Sequence, residues 1–265
     1  MSPIPRYPRS FGSRINWGGM LTPAIRNIIV ICTGVFLVQT ALRLFAPMDW
    51  TRWYLQELGL VPLAVTHGLR LWQPVTYLFL HDVFSFWHLL FNMLFLWMFG
   101  SDLERTWGTH RFYVYYFVSG IGAGCTTVLV KTLLDPHGTG VSVTPTIGAS
   151  GAIYGVLLAA AIVFPDRQIW LIPFPVQIPM KIYVAGAIAI EFFSTLGVGG
   201  DNVSHVTHLG GALVGYLYLR RGLFLYRVRN DYLDWKRRRA RRKFEVYMRD
   251  HKNEPPGSSD DRWVN

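Results

Sequence analysis

Charge is what this chain has least of. Only 16% of its 265 residues are charged, where a soluble domain carries about a quarter, so an ordinary water-facing globular enzyme is not expected. Cysteine is nearly absent. The two present, Cys32 and Cys125, both fall within apolar runs, which argues against a disulfide framework and against a thiolate metal site. No His-Glu-x-x-His occurs, and His205 and His208 with His88 lack a fourth apt ligand, so the expected metal is none and no other cofactor is implied. No small-residue cleavage site follows the first apolar run, so no signal peptide is expected. Basic charge is plentiful overall, at a net +10, but scarce through the middle of the chain. Most of it lies before Ile28 and after Leu219, a pattern of membrane topology before nucleic-acid binding, and no nucleic-acid partner is expected.

What is present is apolar length. Hydrophobic residues make up 51% of the chain and aromatics 15%, and aromatic rings collect at membrane interfaces. The run from about Ala24 to Phe45 is long enough to span a bilayer, which takes about 20 residues. Further spans are expected at about Phe86 to Gly100, Phe112 to Leu134, Gly148 to Phe164, Met180 to Leu196 and His205 to Leu219. The fifth is the least clean, because three prolines stand in Ile172 to Pro179. Arg6, Arg9, Arg14 and Arg26 precede the first span, and the run Lys236 to Lys243 follows the last. Both termini are therefore expected in the cytoplasm. The fold class is all-α, a polytopic membrane bundle of six transmembrane helices. Residues 1–24 form a cytoplasmic segment, 25–222 the membrane domain, and 223–265 a basic, partly disordered tail suited to anionic head groups. Between the first two spans, the aromatic-rich stretch Ala46 to Ser85 suggests short helices in the outer interface.

Several polar groups stand where a membrane penalises them. In Thr146-Ile-Gly148-Ala-Ser150-Gly151-Ala-Ile-Tyr154-Gly155, Ser150 opens the fourth span with small residues around its hydroxyl. Its own N–H falls in the first helical turn, where donors have no partner within the helix. A serine needs an adjacent base, and Ser204-His205-Val-Thr-His208-Leu-Gly-Gly211-Ala-Leu-Val-Gly215 supplies one. His208, Gly211 and Gly215 share a helix face, so Gly151 and Gly155 can approach them closely. His205 is the competing base, nearer the loop and without the glycine ladder. Tyr154, one turn below Ser150, can stack on the imidazole. His88 and Asn92 share a face of the second span at similar depth and could donate to an oxyanion, or bond each other or a backbone carbonyl. Glu191 is an intramembrane carboxylate that the sequence alone cannot orient, and no acid is obviously placed for a triad. The expected arrangement is a dyad.

Together these residues resemble the rhomboid family of intramembrane serine proteases, of the bacterial six-helix type. The resemblance covers about Pro74 to Arg220, more weakly back to Ile28. It rests on Gly148-Ala-Ser150-Gly151, on His208 with Gly211 and Gly215, on His88-Leu-Leu-Phe-Asn92, and on Tyr154. It implies Ser150 as nucleophile, His208 as base, His88 and Asn92 in oxyanion stabilisation, and Tyr154 stacked on the histidine. Two departures concern the scaffold: Trp72-Gln73 stands where many relatives have Trp-Arg, and Glu104-Arg105 lacks an arginine two residues after the glutamate. The implied activity is cleavage of membrane proteins near the outer leaflet, with transmembrane substrates as partners. The expected location is a bacterial cytoplasmic membrane. The rival readings are a non-proteolytic adaptor that binds client helices, opposed by the retained Ser150 and His208, and a transporter, for which no inverted repeat of broken spans is evident.

Overall fold

The computed structural model describes residues 21–171, 176–195 and 205–221. Ten α-helices occur among the described residues: α1 Pro23–Phe45, α2 Met48–Leu58, α3 Pro62–Thr66, α4 Gln73–Thr76, α5 Phe86–Phe95, α6 Ser101–Trp107, α7 Thr109–Leu134, α8 Ser150–Val163, α9 Met180–Phe193 and α10 over 205–221. A π-helical turn, Leu96–Gly100, continues α5. By length and composition α1 and α7 can cross a membrane, and α8 is apolar but shorter. The chain divides into a compact unit ending at Tyr216 and a second beginning at Leu217. Of the second, only 217–221 is described, and the basic tail and the Met1 to Met20 segment lie outside the described residues.

The helices are apolar outward and partly polar inward. Val30, Leu37 and Val38 of α1, Leu129 and Leu133 of α7, and Ile190, Phe192 and Phe193 of α9 are exposed, an outward apolar character that fits lipid contact better than water. Inside, Ser119, Thr127 and Thr207 are buried. The two threonine hydroxyls meet: Thr127 Oγ1 lies 2.8 Å from Thr207 Oγ1, joining α7 to α10. The Tyr115 hydroxyl donates to the Gly155 carbonyl at 2.7 Å and that of Tyr77 to the Gly120 carbonyl at 2.7 Å.

Small residues set the spacing of α7, α8 and α10. A Cβ on Gly155 would stand 2.6 Å from Ser119 Cβ and 3.2 Å from the Gly211 carbonyl oxygen, and one on Gly215 would stand 3.2 Å from Gly155 Cα. At Gly211 it would run into the Gly151 carbonyl. These helices are in backbone contact, as small faces permit where lipid offers no hydrophobic drive for association.

The region between α1 and α5 is a frame of short helices. Gln73 is fully buried. Its amide oxygen accepts the Val61 N–H at 2.9 Å, and its amide nitrogen donates to the Gln56 carbonyl at 2.7 Å. The uncharged side chain thus closes this turn, with Arg70 outside it pairing to Glu57 at 2.8 Å. Glu104 of α6 caps the start of α1, which has no acidic residue in its own first turn. Its carboxylate accepts the Thr22 hydroxyl, the Ala24 and Ile25 N–H groups at 2.9 and 3.2 Å, and the Thr109 hydroxyl at 2.7 Å. Burial raises the carboxyl, but these four donors outweigh it and hold Glu104 below its ordinary range.

The interruption expected before the fifth span has a definite form, and the helix begins at Met180 as expected. Before α9 two antiparallel strands pair, β1 Gln168–Leu171 with β2 Val176–Pro179, in the register Gln168 to Pro179, and residues 172–175 lie outside the described residues. Prolines remove helix donors and clash with the preceding turn, so the helix waits until Met180. Lys181 pairs with Asp166 at 2.8 Å, leaving Glu191 to other partners.

Two measurements check this packing. Gly211→Ala is expected to destabilise the protein by about 1–3 kcal/mol through overpacking, seen as a lower melting temperature in detergent. Gly186→Ala on α9, where a methyl meets open space, leaves it unchanged; equal tolerance of both would contradict the backbone contact. Because Glu104 is depressed when folded, its contribution is complete above the ordinary value of 4.5 and is lost as pH falls through the lowered one. Glu104→Gln should therefore lower the melting temperature at pH 7 and flatten its fall below about pH 4.5, and an unchanged acid profile would contradict the cap.

Candidate active site

The approach to Ser150 is built before the residue itself. After α7 the chain turns around Asp135, whose carboxylate accepts the backbone N–H groups of Thr139, Gly140 and Ser142 and the hydroxyls of Thr139 and Ser142. The Ser142 N–H is the largest of the contributions that hold this carboxyl well below the ordinary range. Thr146 is then pinned three ways. Its N–H donates to the Leu60 carbonyl at 2.9 Å, its carbonyl accepts the Leu60 N–H at 2.9 Å, and its hydroxyl accepts from the buried Lys131 ammonium at 2.8 Å. The Gly148 N–H donates to the Tyr77 carbonyl at 2.9 Å. Gly148 has φ +121, backbone that favours glycine, and a Cβ there would lie 2.9 Å from His88 Nε2. Both facts call for glycine two residues before the serine.

Ser150 is the first residue of α8, half-buried, and its Oγ lies 2.7 Å from His208 Nε2. The Tyr154 ring stacks on His208 with centroids 4.4 Å apart and planes 11° from parallel. His205, the competing base, faces elsewhere: its Nδ1 lies 2.5 Å from Glu191 Oε2. Glu191 is buried and gathers three groups from two other helices. The Tyr154 hydroxyl donates to its Oε1 at 2.5 Å, and His208 Nδ1 stands 3.0 Å from the same oxygen. That last contact has ion-pair separation without hydrogen-bond alignment, since Nδ1 has no hydrogen-bond partner.

His88 and Asn92 lie on the facing side. The Asp82 N–H donates to His88 Nδ1 at 3.3 Å, so a neutral imidazole carries its proton on Nε2, the atom beside Gly148. Asn92 is buried, and its Nδ2 donates to the His88 carbonyl at 2.7 Å. This is the local bond expected of such a pair, and it uses one of the two amide protons. His81 packs behind, with its ring 5.3 Å from that of His88. Burial and the neighbouring His88 push His81 down to about 4, which keeps it neutral near pH 7.

Ser150, His208, Tyr154 and His88 thus meet at one end of the bundle, with Gly151, Gly155, Gly211 and Gly215 forming the contact beneath them. Sequence reasoning left Glu191 unoriented. The signal was present in part, because Glu191 is the twelfth residue of the expected span from Met180, far enough along it to reach the end of the bundle where Ser150 and His208 lie. Glu191, His205 and His208 could together offer ligand atoms to a metal ion, all within 4.8 Å of one another, an acid that sequence reasoning did not place beside the two histidines. The 2.5 Å Glu191–His205 pair is bonded to itself, and an ion about 2.0–2.2 Å from each ligand needs them farther apart.

Comparison with known proteins gives this geometry its relatives. The chain is 34% identical over 135 residues to Rhomboid protein 1, mitochondrial, of Saccharomyces cerevisiae, covering 51% of this chain and 37% of that protein. It is 32% identical over 143 residues to the human Presenilin-associated rhomboid-like protein, mitochondrial, covering 52% and 35%. With Rhomboid protease GlpG of Yersinia pestis it shares 26% identity over 198 residues, covering 74% and 61%. The chain thus spans little more than a third of the length of the two mitochondrial relatives. Their mitochondrial names run against reading a bacterial membrane from family likeness alone. The family description "Rhomboid domain" matches residues 68–223, more than half of the chain, and on that match the chain belongs to the rhomboid family, a polytopic helical membrane protein.

Proposed function

We propose that this protein is an intramembrane serine endopeptidase that cleaves transmembrane segments of other membrane proteins near the outer leaflet. The observation that carries the reading is the 2.7 Å contact between Ser150 Oγ and His208 Nε2 beneath a stacked Tyr154. A serine hydroxyl becomes a useful nucleophile only beside a base, and a base oriented by a third group is the general form of that arrangement. The family resemblance and the rhomboid protease among the relatives point the same way.

In this reading Ser150 Oγ attacks the scissile carbonyl carbon and its proton passes to His208 Nε2. The carbonyl oxygen becomes an oxyanion. His88 Nε2–H, the remaining Asn92 amide proton and the first-turn N–H groups of α8 are its donors, acting where water is scarce and each is worth more than in bulk. Collapse expels the amine, which takes the proton from Nε2, and leaves an acyl group on Ser150. Water, deprotonated by the same Nε2, then attacks that ester and frees the enzyme. A substrate helix must unwind to enter, because its peptide bonds are shielded by their own hydrogen bonds.

Six spans with both termini cytoplasmic fit this chemistry. They bring the starts of α5, α8 and α10 and the far end of α9 to one side of the membrane, and they put the basic tail against anionic head groups. The membrane domain is taken as residues 25–222, between a cytoplasmic segment of 1–24 and the tail of 223–265. The charge distribution and the GlpG likeness support a bacterial cytoplasmic membrane, and the mitochondrial relatives oppose it.

Labelling with a fluorophosphonate probe in detergent tests the proposal. Wild type is expected to label, Ser150→Ala and His208→Ala to lose labelling, and His205→Ala to keep it at a reduced rate. A wild type that stays dark beside an active rhomboid protease treated in parallel would favour the non-proteolytic adaptor.

A further inference from the structure

A carboxylate in the middle of apolar helices is expensive and is kept only with partners or a function. Glu191 has partners from two helices: Tyr154 of α8, and His205 and His208 of α10. An ionised carboxylate only accepts hydrogen bonds, so the nitrogens and the hydroxyl that face it are donors. For His208 this places the proton on Nδ1, and a neutral imidazole then has its lone pair on Nε2, the atom 2.7 Å from Ser150 Oγ.

We infer that Glu191 is a positioning residue for His208, the third member of a Ser150–His208–Glu191 array; the inference rests on the protease reading above. Glu191 holds the Nδ1–H tautomer and faces the imidazolium that forms when His208 takes the Ser150 proton. It takes no proton itself. Oε1, shared between the Tyr154 hydroxyl and His208 Nδ1, ties the stacking ring and the stacked ring to one atom, and the bond of Oε2 to His205 keeps the carboxylate from turning away. The Nδ1 contact is open in angle at 3.0 Å. Hydrogen bonds of this kind tighten when the substrate is bound. Among the described residues, Glu191 is the one acid within reach of either histidine of α10. Its position also ties α9 to the site.

Two readouts on the full chain in detergent test this. The first is the fluorophosphonate labelling rate of wild type, Glu191→Gln and Glu191→Asp, each beside its melting temperature. Glu191→Gln is expected to label about 100-fold slower while still folded, with Glu191→Asp recovering part of the rate. A Gln variant that labels at the wild-type rate overturns the inference. The second is the ¹⁵N spectrum of labelled histidine, assigned with His208→Ala, which is independent of activity. Wild-type His208 should carry its proton on Nδ1, and Glu191→Gln should mix the tautomers. An Nε2–H tautomer in wild type overturns the inference even where the Gln variant fails to fold. A wild type that does not label but shows the Nδ1–H tautomer sinks the protease reading, and with it the array, while leaving the Glu191–His208 contact itself in place.

Discussion

The structure depends first on how closely α8 and α10 approach each other. Gly151 and Gly155 on one helix meet Gly211 and Gly215 on the other with no side chain between them, and Ser119 of α7 fills the space beside the contact. In lipid this contact gains nothing from the exclusion of water and relies on van der Waals packing and interhelical hydrogen bonds. The Tyr115 hydroxyl on the Gly155 carbonyl and the Thr127–Thr207 pair supply such bonds across α7, α8 and α10. His208 stands one turn above Gly211 on the same face of α10, and Ser150 directly precedes Gly151 at the start of α8. Their 2.7 Å separation follows from the backbone contact beneath them.

A second constraint is the cost of polar groups in the bundle. Each is held in a small local set. Lys131 donates to Thr146 and thereby fixes the strand-like approach to Ser150. Glu104 collects four donors at the start of α1. Glu191 joins Tyr154, His205 and His208. The first two build the frame, and the third lies at the reacting groups. Glu191 stands against Tyr154 and His208, the two residues packed beside Ser150.

Much of this was legible in the sequence because it depends on spacing along one helix. The i, i+3, i+7 pattern of His208, Gly211 and Gly215 specifies a face without any tertiary information, and so does the pairing of His88 with Asn92. The small residues around Ser150 told which helix that face would meet. The choice of His208 over His205 followed from the glycine ladder, and the two rings now point to Ser150 and Glu191 respectively. What could not be read depends on rotation between helices. The partners of Glu191 are set by how α9 turns about its axis, which its nearly uniform apolar sequence does not encode. The strand pair before α9 was hidden for another reason. Prolines announced an interruption in the span, but pairing of Gln168 with Pro179 is a contact between segments that neither segment specifies by itself. Gln73 shows the same limit, since its uncharged amide satisfies the turn through neighbours that lie 12 and 17 residues away.

The most direct test is cleavage in a bilayer. The full chain would be reconstituted in liposomes with a single-span membrane protein whose helix is interrupted by glycine or proline near its outer end, and the fragments would be weighed by mass spectrometry. The account predicts one cut in the outer part of that span, absent with Ser150→Ala and with His208→Ala. A cut that persists in Ser150→Ala, or an intact substrate where an active rhomboid protease cleaves it in parallel, would contradict it.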